Sequence, residues 1–169
     1  VGALVLVDAA QTLGVVDVDT QALGVDMVAG PGHKGLMGPM GTGFLYVSPR
    51  VSIRPTVFGG TGSHSEELDM PLALPDLLET GTVNAVGLAG LSAGVAWVME
   101  KGPDALGRAE ALLADKLKQG LLAIPGVRVY GRAPQVGLVS FNIRDMGSTE
   151  VASILDASFN ICVRPGLHC

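Results

Sequence analysis

LVLVDAAQTLGVVDVDTQALGVDMVAGPGHKGLMGPMGTGFLY, residues 4 to 46, is the stretch that decides the fold. Ala3 to Val7 is a continuous apolar run with β-branched residues, the pattern of a strand buried on both faces of a parallel sheet. Asp8 follows at its carboxyl end, where open α/β sheets bind ligands. A short helix or turn through Ala10 to Leu13 leads on to Thr20-Gln21-Ala22-Leu23, and Met27 to Ala29 and Gly43 to Val47 read as two further strands. Between these lie Gly30, Gly32, Gly35, Gly38, Gly41 and Gly43 with Pro31 and Pro39, too many breakers for a helix or a strand. That loop is suited to close backbone approach.

Outward from this stretch, Ser52 to Glu79 reads as an exposed irregular excursion containing Phe58-Gly59-Gly60-Thr61-Gly62-Ser63-His64-Ser65. Thr82-Val83-Asn84 can cap a helix from about Ala85 to Met99, whose Gly87, Ala89, Gly90, Ala93 and Gly94 permit tight packing. Pro103 opens another helix, with Leu106, Leu113, Leu117 and Leu121 on one stripe. Strands are expected at Val127 to Tyr130, Leu138 to Ile143 and Ile161 to Arg164, with a short helix from Thr149 to Ala157. The pattern is α/β, and the change of rhythm near residue 102 marks a domain boundary, giving residues 1–101 and 102–169.

Composition narrows the function. The chain has 169 residues, 48% of them apolar, which suffices for a core, and only 16% charged with a net charge of −5. It lacks the clustered Lys and Arg that phosphate-backbone binding needs, so nucleic acid is excluded as a partner. No apolar run reaches the about eighteen residues of a membrane span, and VGALVLV breaks at Asp8, too early for a signal-peptide core. With two cysteines, Cys162 and Cys169, the chain reads as a cytoplasmic thiol protein. It starts inside an apolar strand and stops directly after a turn signal, so it reads as an internal fragment of a longer protein.

The chemistry centres on Asp8 and, 26 residues later, Lys34. A carboxylate at a strand end and a lysine in a glycine-rich loop are what a protein needs to hold pyridoxal phosphate: the acid keeps the pyridine nitrogen protonated, and the lysine forms the Schiff base. Lys34 follows His33, is flanked by Gly32 and Gly35, and falls opposite Asp8 across neighbouring strand ends. Partial burial beside a cationic partner would make its neutral amine available. Asp8 can alternatively be a plain helix N-cap and Lys34 a solvated charge. Gln11 is in reach of the cofactor's phenolic oxygen, or is a surface amide of a short helix.

DAAQ, GHKGLMGPMGTGFLYV, ETGTVNAVGLAGL and VRPGLHC, in that order and spacing, resemble the class V aminotransferase family of fold type I pyridoxal-phosphate enzymes, in particular the cysteine desulfurases and selenocysteine lyases. The resemblance implies part of a large, mainly parallel-sheet domain followed by part of a smaller α/β C-terminal domain. It also implies removal of sulfur from L-cysteine to give L-alanine and an enzyme persulfide. Lys34 matches the Schiff-base lysine, Asp8 the pyridinium partner, Gln11 the contact to the phenolic oxygen, and His33 a phosphate ligand. Thr82 resembles the threonine that reaches the phosphate of a neighbouring subunit, implying a homodimer. Cys169 falls at the nucleophilic cysteine that takes up sulfur, from which an acceptor protein would collect it, and Arg164, in the same turn, is assigned to substrate binding.

The chain departs from the family in having Pro31 where many relatives carry Ser or Thr, so His33 and backbone groups must compensate. The family's phosphate-binding loop and the arginine for the substrate carboxylate are not in this stretch, and the 169 residues alone are expected to be inactive. Other readings are transamination, selenocysteine lysis or β-elimination, a non-catalytic remnant, and a nucleotide-binding loop, which would need Ser or Thr after the lysine where Gly35 stands. His168, Cys169 and Cys162 lack the paired spacing and fourth ligand of a zinc site. Cys162 alternates with core residues and is expected to pack inside, Trp97 to pack between the domains, and His64 and Arg54 to face solvent.

Overall fold

The computed structural model describes residues 2–64, 66–132 and 136–168. The chain forms two compact units, the first closing at Asp104 and the second beginning at Ala105.

In the first unit, the apolar run after Ala3 pairs as β1 (Leu6–Asp8) and is followed by a helical turn and by α1 (Thr20–Leu23). Asp19 caps α1, its Oδ1 accepting from the N–H groups of Gln21 and Ala22 at 2.8 and 3.0 Å, and Gly24, at φ 63°, ends it. β2 (Met27–Pro31) is the middle strand of a three-stranded sheet, parallel to β1 and antiparallel to β3 (Gly43–Val47). The β1–β2 register sets Leu6, Val7 and Asp8 against Met27, Val28 and Ala29.

Val28, at the centre of β2, is 2% exposed and is the largest fully buried side chain among the described residues. β1 departs from the expectation of burial on both faces: Leu4 and Leu6 are 60% and 53% exposed, because no layer of the described residues covers them. The stretch from Ser52 to Glu79 carries neither helix nor strand among its described residues, as its breakers predict. It folds back on itself through the Gly81 N–H bond to the Gly60 carbonyl, 2.7 Å, and the Ser63 hydroxyl bond to Asp76 Oδ2, 2.5 Å.

α2 (Ala85–Lys101) starts at the Asn84 cap, whose Oδ1 accepts from the Gly87 N–H at 2.9 Å. Its glycines lie against the glycine-rich loop. A Cβ at Gly94 would stand 2.5 Å from the Leu36 carbonyl oxygen, and one at Gly90 3.0 Å from Pro39. The helix therefore packs through its backbone where larger side chains would hold it away. Trp97 is 43% exposed, with the Lys101 ammonium 5.9 Å from its ring centre.

α3 (Pro103–Leu122) runs into the second unit, where β4 (Val127–Tyr130) and β5 (Ser140–Ile143) pair antiparallel and α4 (Ser148–Phe159) packs on β5. α3 does not bury the leucine stripe its period suggests: Leu113 and Leu117 are exposed, and the buried residues are Gly107 and Ala114. The face carrying those small residues also carries the polar ties to the β4–β5 connection. Glu110 Oε2 accepts from the Gly137 N–H at 3.1 Å, and Lys118 Nζ donates to the carbonyls of Gly131 and Arg132 at 3.0 and 2.7 Å. The strand expected at Ile161 to Arg164 is absent: the stretch has no ladder partner among the described residues. Cys162 is accordingly exposed rather than packed in a core, its Sγ 3.8 Å from Asp156 Oδ1. Among the described residues no helix is long and apolar enough to cross a membrane.

Candidate active site

The parallel pairing of β1 and β2 brings two of the chemistry-bearing segments side by side. Asp8 is the last residue of β1, opposite Ala29, and the ladder closes with the Ala9 N–H bond to the Ala29 carbonyl at 2.9 Å. A parallel ladder would continue with an N–H of residue 31 donating to the Ala9 carbonyl. Pro31 has no N–H, and the Ala9 carbonyl accepts instead from Thr12 and Leu13, both at 3.1 Å. Pro31 thus suits the point where β1 leaves the sheet and winds into the helical turn that carries Gln11.

Asp8 is exposed, and its Oδ1 accepts from the Ala10 N–H at 3.0 Å, which starts that turn. One carboxylate oxygen of Asp8 thus starts a turn, and the helix that an N-cap would need is not formed there among the described residues. Among the described residues no hydrogen bond engages the other, Oδ2.

On the neighbouring strand end, Gly32 fixes the base of the loop that holds His33 and Lys34. Its N–H donates to the Thr42 carbonyl at 2.8 Å, and its own carbonyl accepts from the Gly38 N–H at 2.7 Å. Inside that ring, the Met37 N–H bonds the Lys34 carbonyl at 2.9 Å, with Met37 at φ 57°. The Thr42 hydroxyl donates to the Pro39 carbonyl at 2.6 Å and stiffens the return. His33 and Lys34 are both exposed, so the chain itself does not provide the partial burial expected of Lys34. Among the described residues no ion pair or hydrogen bond holds its ammonium.

The turn that carries Gln11 and the turn that carries Lys34 touch directly. A Cβ at Gly14 would strike the Gly35 carbonyl, and one at Gly35 would strike the Leu13 carbonyl. Two glycines 21 residues apart let these backbones meet. Asp8, Gln11, His33 and Lys34 therefore rise from two adjoining turns at one end of the sheet.

Thr82 is exposed, two residues before the Asn84 cap, and the first turn of α2 abuts Thr42 of the same loop: a Cβ at Gly87 would lie 2.9 Å from Thr42 Cγ2. Arg164 belongs to the second unit and is exposed. Cys169 lies outside the described residues.

Sequence reasoning overlooked one acid. Asp26 is 2% exposed, with Oδ2 accepting from the Val5 N–H at 2.7 Å and Oδ1 paired with Arg50 Nε at 2.6 Å. The Val5 N–H, opposed by burial and aided by Arg50, holds this carboxyl below the ordinary aspartate range. An acid immediately before the apolar run Met27 to Ala29 was the available signal.

The aminotransferase class-V family model matches residues 1–169. The chain belongs to the class-V aminotransferase family. A probable cysteine desulfurase of Methanothermobacter thermautotrophicus is 40% identical over 174 residues, covering 100% of this chain and 44% of the relative. The cysteine desulfurase CsdA of Escherichia coli superposes with a TM-score of 0.85 at 30% identity, over 96% of this chain and 41% of that one. C-DES, described as a cystine C–S lyase in complex with its reaction product cysteine persulfide, superposes with a TM-score of 0.79 at 31% identity, over 90% of this chain and 42% of its own. A C-DES variant with glycine covalently linked to the PLP cofactor gives a TM-score of 0.83 at 30% identity, covering 95% and 44%. The class-V chain described here spans less than half the length of each of these relatives.

Proposed function

We propose that this class-V chain is part of a pyridoxal-phosphate-dependent cysteine desulfurase that converts L-cysteine and an enzyme thiol into L-alanine and an enzyme persulfide. The observation that carries the reading is the juxtaposition of the Asp8 strand end with the His33–Lys34 turn, across paired strands and touching glycines. Kinship with named cysteine desulfurases over the full chain supports it.

The donor set fits the cofactor. Asp8 has a carboxylate oxygen free of bonds from the described residues, Lys34 an exposed amine, and His33 and Gln11 lie on the same two turns. When bound, pyridoxal phosphate supplies an aldehyde for amine condensation and a ring that accepts the electron pair released at the substrate Cα. Asp8 would hold the proton on the ring nitrogen, through a charge-assisted hydrogen bond. Lys34 Nζ would be the attachment point and, once displaced, the base that takes the Cα proton. Gln11 would donate its amide to the phenolic oxygen, and His33 would donate to the phosphate, a task Pro31 cannot share. Thr82, exposed at the head of α2, would serve the phosphate of a second copy, which makes the enzyme a homodimer.

Cys169 Sγ, as thiolate, would accept the substrate's sulfur, with Arg164 nearby in sequence to bind the substrate and favour the thiolate. A sulfur-acceptor protein would then collect the persulfide. Residues 1–101 would be the end of the cofactor-binding domain and 102–169 the start of the smaller one. A cytoplasmic enzyme suits the free thiol of Cys162.

The likeness to C-DES favours a second reading, β-elimination at a cystine C–S bond, which shares Lys34 and Asp8 but needs no enzyme thiol. The two are separated in the full-length protein by Cys169→Ser. Loss of alanine production from cysteine, with cofactor retained, supports the desulfurase; an unchanged rate of alanine production overturns the assignment of Cys169, and pyruvate from cystine with no alanine from cysteine in wild type or variant supports the lyase instead.

A further inference from the structure

We propose that Asp26 is a positioning residue that pins the start of β1 to β2 and to the chain after β3, and through it the placement of Asp8 beside the Lys34 turn. The role of that placement in cofactor binding rests on the functional reading above; the pinning of the strand does not.

The apolar pattern of β1 cannot choose its own register. Leu4, Val5, Leu6 and Val7 are apolar on both parities, so a strand shifted by one residue would present an equivalent apolar surface. Such a slip moves every residue by about 3.3 Å and turns Asp8 to the opposite face of the sheet. A misplacement of about 1 Å is enough to cost an active site a hundredfold. Polar contacts at the start of the strand therefore help to hold it in place.

Asp26 has the contacts to do so. It stands opposite Val5, one step before the Leu6–Met27 pair, and grips it from both sides: its side-chain Oδ2 accepts the Val5 N–H at 2.7 Å, and its backbone N–H donates to the Val5 carbonyl at 2.9 Å. The same residue reaches the chain beyond β3. Its carbonyl accepts from the Ser48 N–H at 2.8 Å, and its Oδ1 pairs with Arg50 Nε at 2.6 Å. Arg50 Nη2 donates in turn to the Gly24 carbonyl at 3.1 Å. One buried carboxylate thus ties the entrances of β1 and β2 to the exit of β3. Without the carboxylate, the Val5 N–H and the Arg50 guanidinium lose their shared acceptor, and the entrance of β1 is held by backbone bonds alone.

The test uses the full-length protein as wild type and as Asp26→Ala, Arg50→Gln and Val151→Ala. The last removes buried apolar volume from α4 of the second unit and serves as the stability control. Amide hydrogen exchange of residues 5–9 is read without cofactor, and the dissociation constant for pyridoxal phosphate by equilibrium dialysis. We expect Asp26→Ala to speed exchange in residues 5–9 and to weaken cofactor binding by about tenfold or more, with Arg50→Gln acting in the same direction to a smaller extent and Val151→Ala doing neither. Where Asp26→Ala does not fold, Arg50→Gln decides. Unchanged exchange at residues 5–9, or a binding loss no greater than that of Val151→Ala at matched thermal stability, overturns the proposal. Faster exchange in the variants alongside a wild type that takes up no pyridoxal phosphate supports the pinning role and overturns the functional reading instead.

Discussion

Gly14 and Gly35 meet backbone to backbone, so that a Cβ on either would enter the peptide of the other turn. The contact joins the turn after β1 to the turn after β2, and with them Gln11 to Lys34. Gly14 also sits at φ 85°, where L side chains are strained. Gly35→Ala should cost about 1–3 kcal/mol through overpacking and reduce cofactor uptake more than its stability loss accounts for. Gly14→Ala should be worse, since it adds backbone strain. Denaturant unfolding and cofactor titration of the full-length variants check both.

Two helix glycines give opposite expectations. Glycine to alanine in a helix interior ordinarily gains about 0.5–1 kcal/mol. Gly120 of α3 has nothing within 4 Å of its would-be Cβ, so Gly120→Ala should stabilise by about that amount. Gly94 of α2 would place a Cβ 2.5 Å from the Leu36 carbonyl, and overpacking wins there: Gly94→Ala should destabilise by about 1–3 kcal/mol. Thermal unfolding of the pair, with Tm moving in opposite directions, is the measurement.

Asp26 governs part of the acid sensitivity. Its carboxyl is held below the ordinary aspartate value of 3.8 in the folded chain, so at neutral pH it contributes stability that is lost as pH falls through the folded value. Asp26→Asn should therefore be clearly less stable than wild type at pH near 7, and the gap should narrow as pH falls below about 4. Urea unfolding across that range tests it; a gap that stays constant with pH would mean that the Val5 and Arg50 contacts do not favour the charged form.

Much of this was legible in the sequence because the relevant signals are local. Breakers between Gly30 and Gly43 marked the loop, Pro103 marked the start of α3, and Asn84 and its neighbours marked the cap of α2. β3 and β4 fall at the residues where their apolar runs predicted them. What was not legible depends on partners distant in sequence. Ile161 to Arg164 has strand composition but no ladder partner among the described residues. The leucines of α3 have the right period, yet Gly107 and Ala114 are what the fold buries. Asp26 looked like any acid between a turn and a strand, and only the pairing of β1 with β2 brings the Val5 N–H to it.

The central claim is that the Lys34 amine and the Asp8 carboxylate serve one pyridoxal phosphate. Borohydride reduction of the cofactor-loaded full-length protein, followed by peptide mass mapping, tests it most directly. A phosphopyridoxyl group on Lys34, abolished by Lys34→Ala and sharply reduced by Asp8→Ala, is the predicted result. A label on any other lysine, or none in a protein that has taken up the cofactor, would contradict it.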